Sequence, residues 1–387
     1  MIAASGMRLT EHEVEVPLHP DSDETLTVFA REVAAPDGLD RPFLVFLQGG
    51  PGFESPRPAG PASGWMKRAL QDFRVVLIDQ RGTGRSGVAP TDAERLQHYR
   101  ADAIVRDCEA LREHLGVERW AVLGQSFGGM CAYAYLSAHP DHLSEVFITG
   151  GIPVLGNRIE DVYRVTYGIV ADRTRRYFER YPADRARLDE LLERDDIVLP
   201  GGDTLTTNRV RALGRMLGMS DGAEKLHHLL ELDVASPAFL HDVERASEFP
   251  RNPIYLALHD ACWADGGTTR WAAERVYDGE LLIGEHMFSS VFEEIAEMRP
   301  FRDAAHELAE HEWPRLYDPE QLAANEVPCA AAIYANDMYL PRVFSEETAA
   351  KTGRMRAWLT NELEHNGLRA EGERVLGYLI DLARDRV

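Results

Sequence analysis

The sequence predicts an α/β fold, with a mostly parallel central sheet, helices on both faces and an inserted helical cap. Three observations predict it. Short apolar runs alternate with helix-periodic segments as far as residue 153. That alternation stops between residues 154 and 325, where helical periodicity stands almost alone, and it resumes from 326 to the end. Strand–helix alternation implies parallel strands joined by crossover helices, and a helical block inside it implies an insertion. The expected organisation is a core in two parts, 1–153 and 326–387, with a cap at 154–325.

The elements follow in order. Glu13-Val-Glu-Val-Pro17 and Leu26-Thr-Val-Phe-Ala30 flank the turn-rich His19-Pro-Asp-Ser-Asp23 and read as an antiparallel hairpin at the sheet edge. Phe43-Leu-Val-Phe-Leu47 and Arg74-Val-Val-Leu-Ile78 are the unbroken apolar runs of strands buried on both faces. Residues 102–115 place Ile104, Val105, Cys108, Leu111 and Leu115 on one helical face. A short strand at 120–123 precedes a helix at 130–138, and 144–149 is a further strand. In the cap, helices are expected at 158–181, 185–194, 207–217, 223–232, 237–248, 254–264, 288–298 and 301–313. A strand at 328–334, a helix at 345–351, a strand at 355–359 and a helix at 370–386 close the chain.

Composition narrows the function. With 387 residues, 44% of them hydrophobic, the chain can bury a large core. The net charge of −22, from 64 acidic and 42 basic residues, argues against nucleic acid and anionic membrane surfaces, which require clustered positive charge. Cys108, Cys131, Cys262 and Cys329 are widely spaced, so neither a disulfide framework nor a zinc site is expected. No run approaches the roughly 18 apolar residues of a membrane span, and Met1 to Met7 lack the pattern of a signal peptide. A cytoplasmic location is expected.

The chemistry centres on Gly124-Gln-Ser-Phe-Gly128, a G-x-S-x-G motif placed between a strand and a helix. That context is a nucleophile elbow of the α/β-hydrolase type and makes Ser126 the attacking residue. A serine hydroxyl needs a base held in one tautomer by a carboxylate, and in this fold the chain order is Ser, acid, His. After the cap, Ala335-Asn-Asp-Met338 follows a strand and offers Asp337. Glu362-Leu-Glu-His365-Asn-Gly367 follows the next strand, and His365 is the only histidine after Asp337. Two N–H donors should hold the oxyanion, each worth roughly 3 kcal/mol. Phe127, directly after the nucleophile, supplies one, and the Gln48-Gly-Gly-Pro-Gly52 loop, at Gly50, supplies the other.

Two motif matches point elsewhere and are set aside. Gly82-Thr-Gly-Arg-Ser-Gly87 fits the dinucleotide pattern, but Val88-Ala-Pro90 occupies the place of the helix that would receive a pyrophosphate. His306 and His311 are five residues apart rather than four, so they do not share a helical face as zinc ligands would.

Gln48-Gly-Gly-Pro-Gly52 with Phe53 and Ser55-Pro-Arg-Pro58, then Asp79-Gln-Arg-Gly-Thr-Gly-Arg-Ser86, then Gly124-Gln-Ser-Phe-Gly-Gly129 together resemble the prolyl aminopeptidase (proline iminopeptidase) family of α/β-hydrolases, in its longer-chain branch. Gln48 stands where the family commonly has His, and Phe127 where many members have Trp. The resemblance implies a serine exopeptidase that removes N-terminal proline from peptides, with no metal and no cofactor. It also implies acidic cap residues that bind the substrate's α-ammonium. Gly284-Glu-His-Met-Phe288 resembles the segment that carries the first, so Glu285 is the expected anchor. Glu312, before Trp313-Pro314, is the choice for a second, with Glu310 behind it, and Phe288 and Trp313 would wall the proline pocket. Peptides with a free N-terminus are the expected partners. The alternatives are a carboxylesterase or amidase with the same three residues and no need for a free amine, or a non-catalytic binding protein on this fold.

Overall fold

The computed structural model describes residues 2–4, 6–246 and 249–387. Its centre is a nine-stranded sheet of β1 (Ile2–Ala4), β2 (Met7–Pro17), β3 (Thr25–Ala34), β4 (Phe43–Leu47), β5 (Arg74–Ile78), β6 (Trp120–Gln125), β7 (Leu143–Thr149), β8 (Cys329–Tyr334) and β9 (Met355–Thr360). The spatial order is β1-β2-β3-β5-β4-β6-β7-β8-β9. The first three strands and β5 pair antiparallel, and every pair from β5 to β9 is parallel. The predicted hairpin is β2–β3, in register from Arg8↔Ala34 to Pro17↔Thr25. It lies one strand in from the edge, because β1 adds outside it and three residues are too few to show alternation.

Period-2 side-chain alternation decides which helix covers which face. Leu44 and Phe46 of β4 join Leu123 and Phe147 under the helices Gly64–Asp72 and Gly372–Ala383. Val45 and Leu47 face the other way, with Val122 and Ile148, onto the helices Ala101–His114 and Phe127–Ala138. All five residues of β4 are buried, which explains its unbroken apolar sequence.

Between β7 and β8 the described residues form helices and two isolated bridges, Val198↔Thr204 and Gly267↔Trp313. The longest of these helices, Ile159–Arg180, packs Val162, Tyr163, Tyr167 and Val170 into the same apolar cluster as the sheet's inner face. Several segments expected as single helices are broken. Residues 207–217 divide into the helix Thr207–Arg211 and a 3₁₀ segment Ala212–Gly218, and 288–298 into Val291–Glu294 and Ala296–Phe301. The apolar spacing is helical there, but Gly214 sits against the Ile283 backbone, and Ile295 is extended, at φ −115° and ψ 111°, between the two pieces of the second segment. The expected helix at 237–248 is Pro237–Ala246, and its last two positions lie outside the described residues. Among the described residues no helix is long and apolar enough to cross a membrane.

Candidate functional site

β6 ends at Gln125, and the helix Phe127–Ala138 begins one residue after Ser126. Ser126 is the hinge of that reversal, with φ 54° and ψ −124°, a conformation that non-glycine residues rarely adopt. The flanking glycines allow it. A Cβ on Gly124 would lie 2.3 Å from the Gly128 carbonyl oxygen, and one on Gly128 would lie 1.9 Å from that of Leu47. Neither position has room for a side chain.

The strand ends bring the other two residues to the serine. His365 Nε2 is 3.0 Å from Ser126 Oγ, and His365 Nδ1 is 2.7 Å from Asp337 Oδ2. The other Asp337 oxygen accepts the backbone N–H groups of Tyr339 at 2.9 Å and Leu340 at 3.1 Å, which pins the carboxylate. All three side chains are buried. Burial opposes charge on His365, but the Asp337 carboxylate and its hydrogen bond, aided by Glu285, outweigh it and raise the imidazole pKa above the ordinary 6.5.

Beside the serine runs the Gln48–Gly52 loop. A Cβ on Gly49 would fall 3.1 Å from Ser126 Cβ, so the backbone itself approaches the nucleophile. The loop is held from beneath: Gln80 Nε2 donates to the Gln48 carbonyl at 2.8 Å. Gln80 belongs to the Asp79–Ser86 motif, which turns tightly and is followed by no helix until Ala93, so it forms no dinucleotide cradle. Its work is structural. Asp79 accepts the Ser55 and Arg85 N–H groups, and Arg81 is buried in a two-pronged pair with Asp107. Phe127 opens its helix, where N–H groups have no intrahelical acceptor.

Ser126, His365, Gly49, Gly50 and Glu285 line one cleft of about 620 Å³. Glu285 reaches it from the insertion. Tyr255 donates its hydroxyl to Glu285 Oε1 at 2.6 Å, and His259 Nε2 faces Oε2 at 3.7 Å. Burial opposes the carboxylate's charge, but His259, His365 and Tyr255 overcome that and bring its pKa down to about 2. The neighbouring His286 fixes the loop. It accepts the Gly284 N–H on Nδ1 at 2.9 Å, lies 2.8 Å from the Thr166 hydroxyl through Nε2, and stacks on Tyr167 at 3.7 Å.

Other expected cap residues lie elsewhere. Glu312 is exposed and borders a separate surface hollow with Gln97 and His311. Glu310 pairs with Arg270 at 3.0 Å. Phe288 is buried against Tyr277 and lines a small neighbouring cavity, while Trp313 is buried under the Arg100 guanidinium. The residues that do wall the cleft are Phe53, Tyr255, Phe249 and Trp65, with Glu285 its one carboxylate among the described residues. These aromatics come from three distant segments, so no local motif announces them. Among the described residues, the groups with metal-ligand spacing are Glu109/His139/His142 and His227/His228/Glu231, and neither includes His306 or His311.

Comparison with known proteins places the chain. An α/β-hydrolase-fold family model matches residues 42–255. A proline iminopeptidase of Aeromonas sobria is 44% identical over 98% of this chain and 97% of its own length. The chain belongs to the proline iminopeptidase family of α/β-hydrolases. A proline iminopeptidase of Aspergillus aculeatus is also similar, at 32% identity over 98% of this chain and 94% of its own. Among solved structures, the proline iminopeptidase of Mycobacterium smegmatis superposes with a TM-score of 0.52, covering 97% of this chain and 98% of that one, at 15% identity. That likeness is one of fold. The strand order of this family member, with the elbow after β6 and the acid and base after β8 and β9, is the α/β-hydrolase arrangement.

Proposed function

We infer that this chain is a proline iminopeptidase, a serine hydrolase that removes N-terminal proline from peptides. The observation that carries the reading is a single cleft holding both a serine–histidine–aspartate relay and one deep carboxylate, Glu285. In our assignment His365 takes the Ser126 proton as Oγ bonds to the scissile carbonyl carbon. The carbonyl electrons move onto oxygen, which the N–H groups at Gly50 and Phe127 receive. The tetrahedral centre collapses, the C–N bond breaks, and His365 gives its proton to the departing amine. Water, deprotonated by the same histidine, then attacks the prolyl ester and frees Ser126.

Glu285 explains why cleavage would begin at the end of a chain. A prolyl N-terminus is a secondary ammonium with two N–H donors, and a buried cation is costly without a partner. Glu285 is 23% exposed and already braced by Tyr255, so it offers a fixed counter-charge in the cleft that holds the nucleophile. The compact proline ring would lie among Phe53, Tyr255 and Phe249. Residues 154–325 would act as the cap that carries this anchor.

The test is a panel of aminoacyl amides, each with a free and an acetylated N-terminus, measured with Glu285→Gln beside wild type. We expect the free prolyl amide to be preferred, acetylation to lower kcat/KM by about 10²-fold or more, and Glu285→Gln to lose most of that discrimination, since a charged hydrogen bond is worth about 1.5–3 kcal/mol. A rate indifferent to acetylation would instead assign the chain to carboxylester or amide hydrolysis. Loss of fluorophosphonate labelling in Ser126→Ala checks the nucleophile.

A further inference from the structure

Resting on the assignment of Ser126, His365 and Asp337 above, we propose that Arg173 of the insertion is a positioning residue for the acid and the base. It sets the register between the loop that carries Asp337 and the loop that carries His365.

One face of the helix Ile159–Arg180 meets three loops of the site. Thr166, Val170 and Arg173 follow one another at helical spacing, so their side chains fall on one side of it. The Thr166 hydroxyl lies 2.8 Å from Nε2 of His286, the neighbour of Glu285. Val170 packs beside Gly284, where a Cβ would lie 3.0 Å from Val170 Cγ2 and 3.2 Å from the Met338 methyl. Met338 directly follows the acid. Arg173 completes the row. Its Nη2 donates to the Asn336 carbonyl at 2.8 Å and also pairs with the Glu364 carboxylate. Asn336 directly precedes Asp337, and Glu364 directly precedes His365. That nitrogen carries two hydrogens, so one end of one guanidinium spans both loops.

The sheet alone leaves that register loosely set. Pairing of β8 with β9 ends at Tyr334↔Thr360, and the Ala335 N–H to Thr360 carbonyl bond at 2.8 Å continues it by one step. Asp337 and His365 both lie beyond that point, yet they must meet across a 2.7 Å hydrogen bond. Misplacing a catalytic group by about 1 Å can cost about 10²-fold in rate. A charged bridge at the residues next to the acid and the base fixes the gap that the bond must close. Arg173 is 19% exposed and Glu364 23%, so water screens the pair only in part. Arg173 does not line the cleft, so it acts through the two loops and not on substrate.

The experiment follows proline release from a prolyl anilide and the rate of fluorophosphonate labelling, with active sites counted by labelling to completion. We expect Arg173→Met to lower kcat per site about tenfold and the labelling rate by a similar factor. KM should stay nearly unchanged, because Glu285 and its Tyr255 bond are untouched. Arg173→Lys should recover part of both rates, since an ammonium still donates to both oxygens but lacks the planar fork. Glu364→Ala should give a smaller fall, and adding it to Arg173→Met should lower kcat no further, as both act through one contact. A merely structural role would reduce the number of sites and leave kcat per site at the wild-type value. That outcome, a rise in KM with kcat preserved, or full additivity of the two substitutions overturns the proposal while leaving proline release standing. If Arg173→Met yields no labelled sites, Glu364→Ala decides: an unchanged kcat per site and labelling rate in that variant overturn the proposal. A wild-type protein that neither labels nor releases proline overturns the catalytic assignment and this proposal together.

Discussion

Tyr255 points its hydroxyl at Glu285 Oε1, 2.6 Å away, and both side chains line the cleft that holds Ser126. Burial and the neighbouring carboxylate keep the phenol protonated, so Tyr255 is always a donor here. Its ring is fixed by stacking on Phe249 and by an edge contact with Phe53, both at 5.5 Å between centroids. Tyr255→Phe keeps that packing and removes one donor to a charged group. We expect KM for a free prolyl amide to rise about tenfold with kcat changed far less, since an anchor acts on substrate binding. Steady-state kinetics on free and N-acetylated amides measure it, and only the free series should respond.

The pH profile should report His365. The reaction needs the neutral imidazole, and its pKa is raised above 6.5. As pH falls through that raised value the base is lost, so the acid limb of kcat/KM should lie above 6.5 and fall tenfold per unit below it. Glu285, with its pKa down at about 2, stays charged throughout and adds no limb of its own. Asp337→Asn removes the charge that raises the imidazole pKa. Burial then dominates, the limb should move to lower pH, and kcat should drop by about 10⁴.

Gly128→Ala tests the elbow. Its methyl would sit 1.9 Å from a backbone oxygen of β4, and backbone cannot swing aside as a side-chain tip can. We expect a loss of about 3 kcal/mol or more, read as a lower denaturation midpoint, together with lost activity as β4 and its loop are displaced.

Gln80 lies outside the cleft but holds the Gln48 carbonyl at the root of the oxyanion loop. Gln80→Met should leave that carbonyl without its donor and loosen the loop. A fall in kcat of about tenfold with little change in KM is the expected pattern, because the oxyanion forms only along the reaction path. An equal rise in KM would point to a general rearrangement of the cleft.

Much of this protein was determined by its sequence alone. A buried strand running into G-x-S-x-G leaves the backbone little choice: only glycines fit the contacts at 124 and 128, and the serine must occupy the turn between them. The acid and base could be read as well, since each follows a strand and His365 has no rival after Asp337. Glu285 was legible through the segment around it. Tertiary structure decided the rest. Helical periodicity in the insertion marked apolar faces but not where the helix at 207–211 would tighten to 3₁₀ or where Ile295 would turn extended. Glu312 and Phe288 have the right chemistry for a binding pocket and lie in the wrong places, one in solvent and one under Tyr277. Tyr255, Phe53, Arg215 and Arg369 form the cleft although they are scattered along the chain. Local patterns record what a backbone does over a few residues, whereas a cleft between an insertion and a sheet is made by long-range packing.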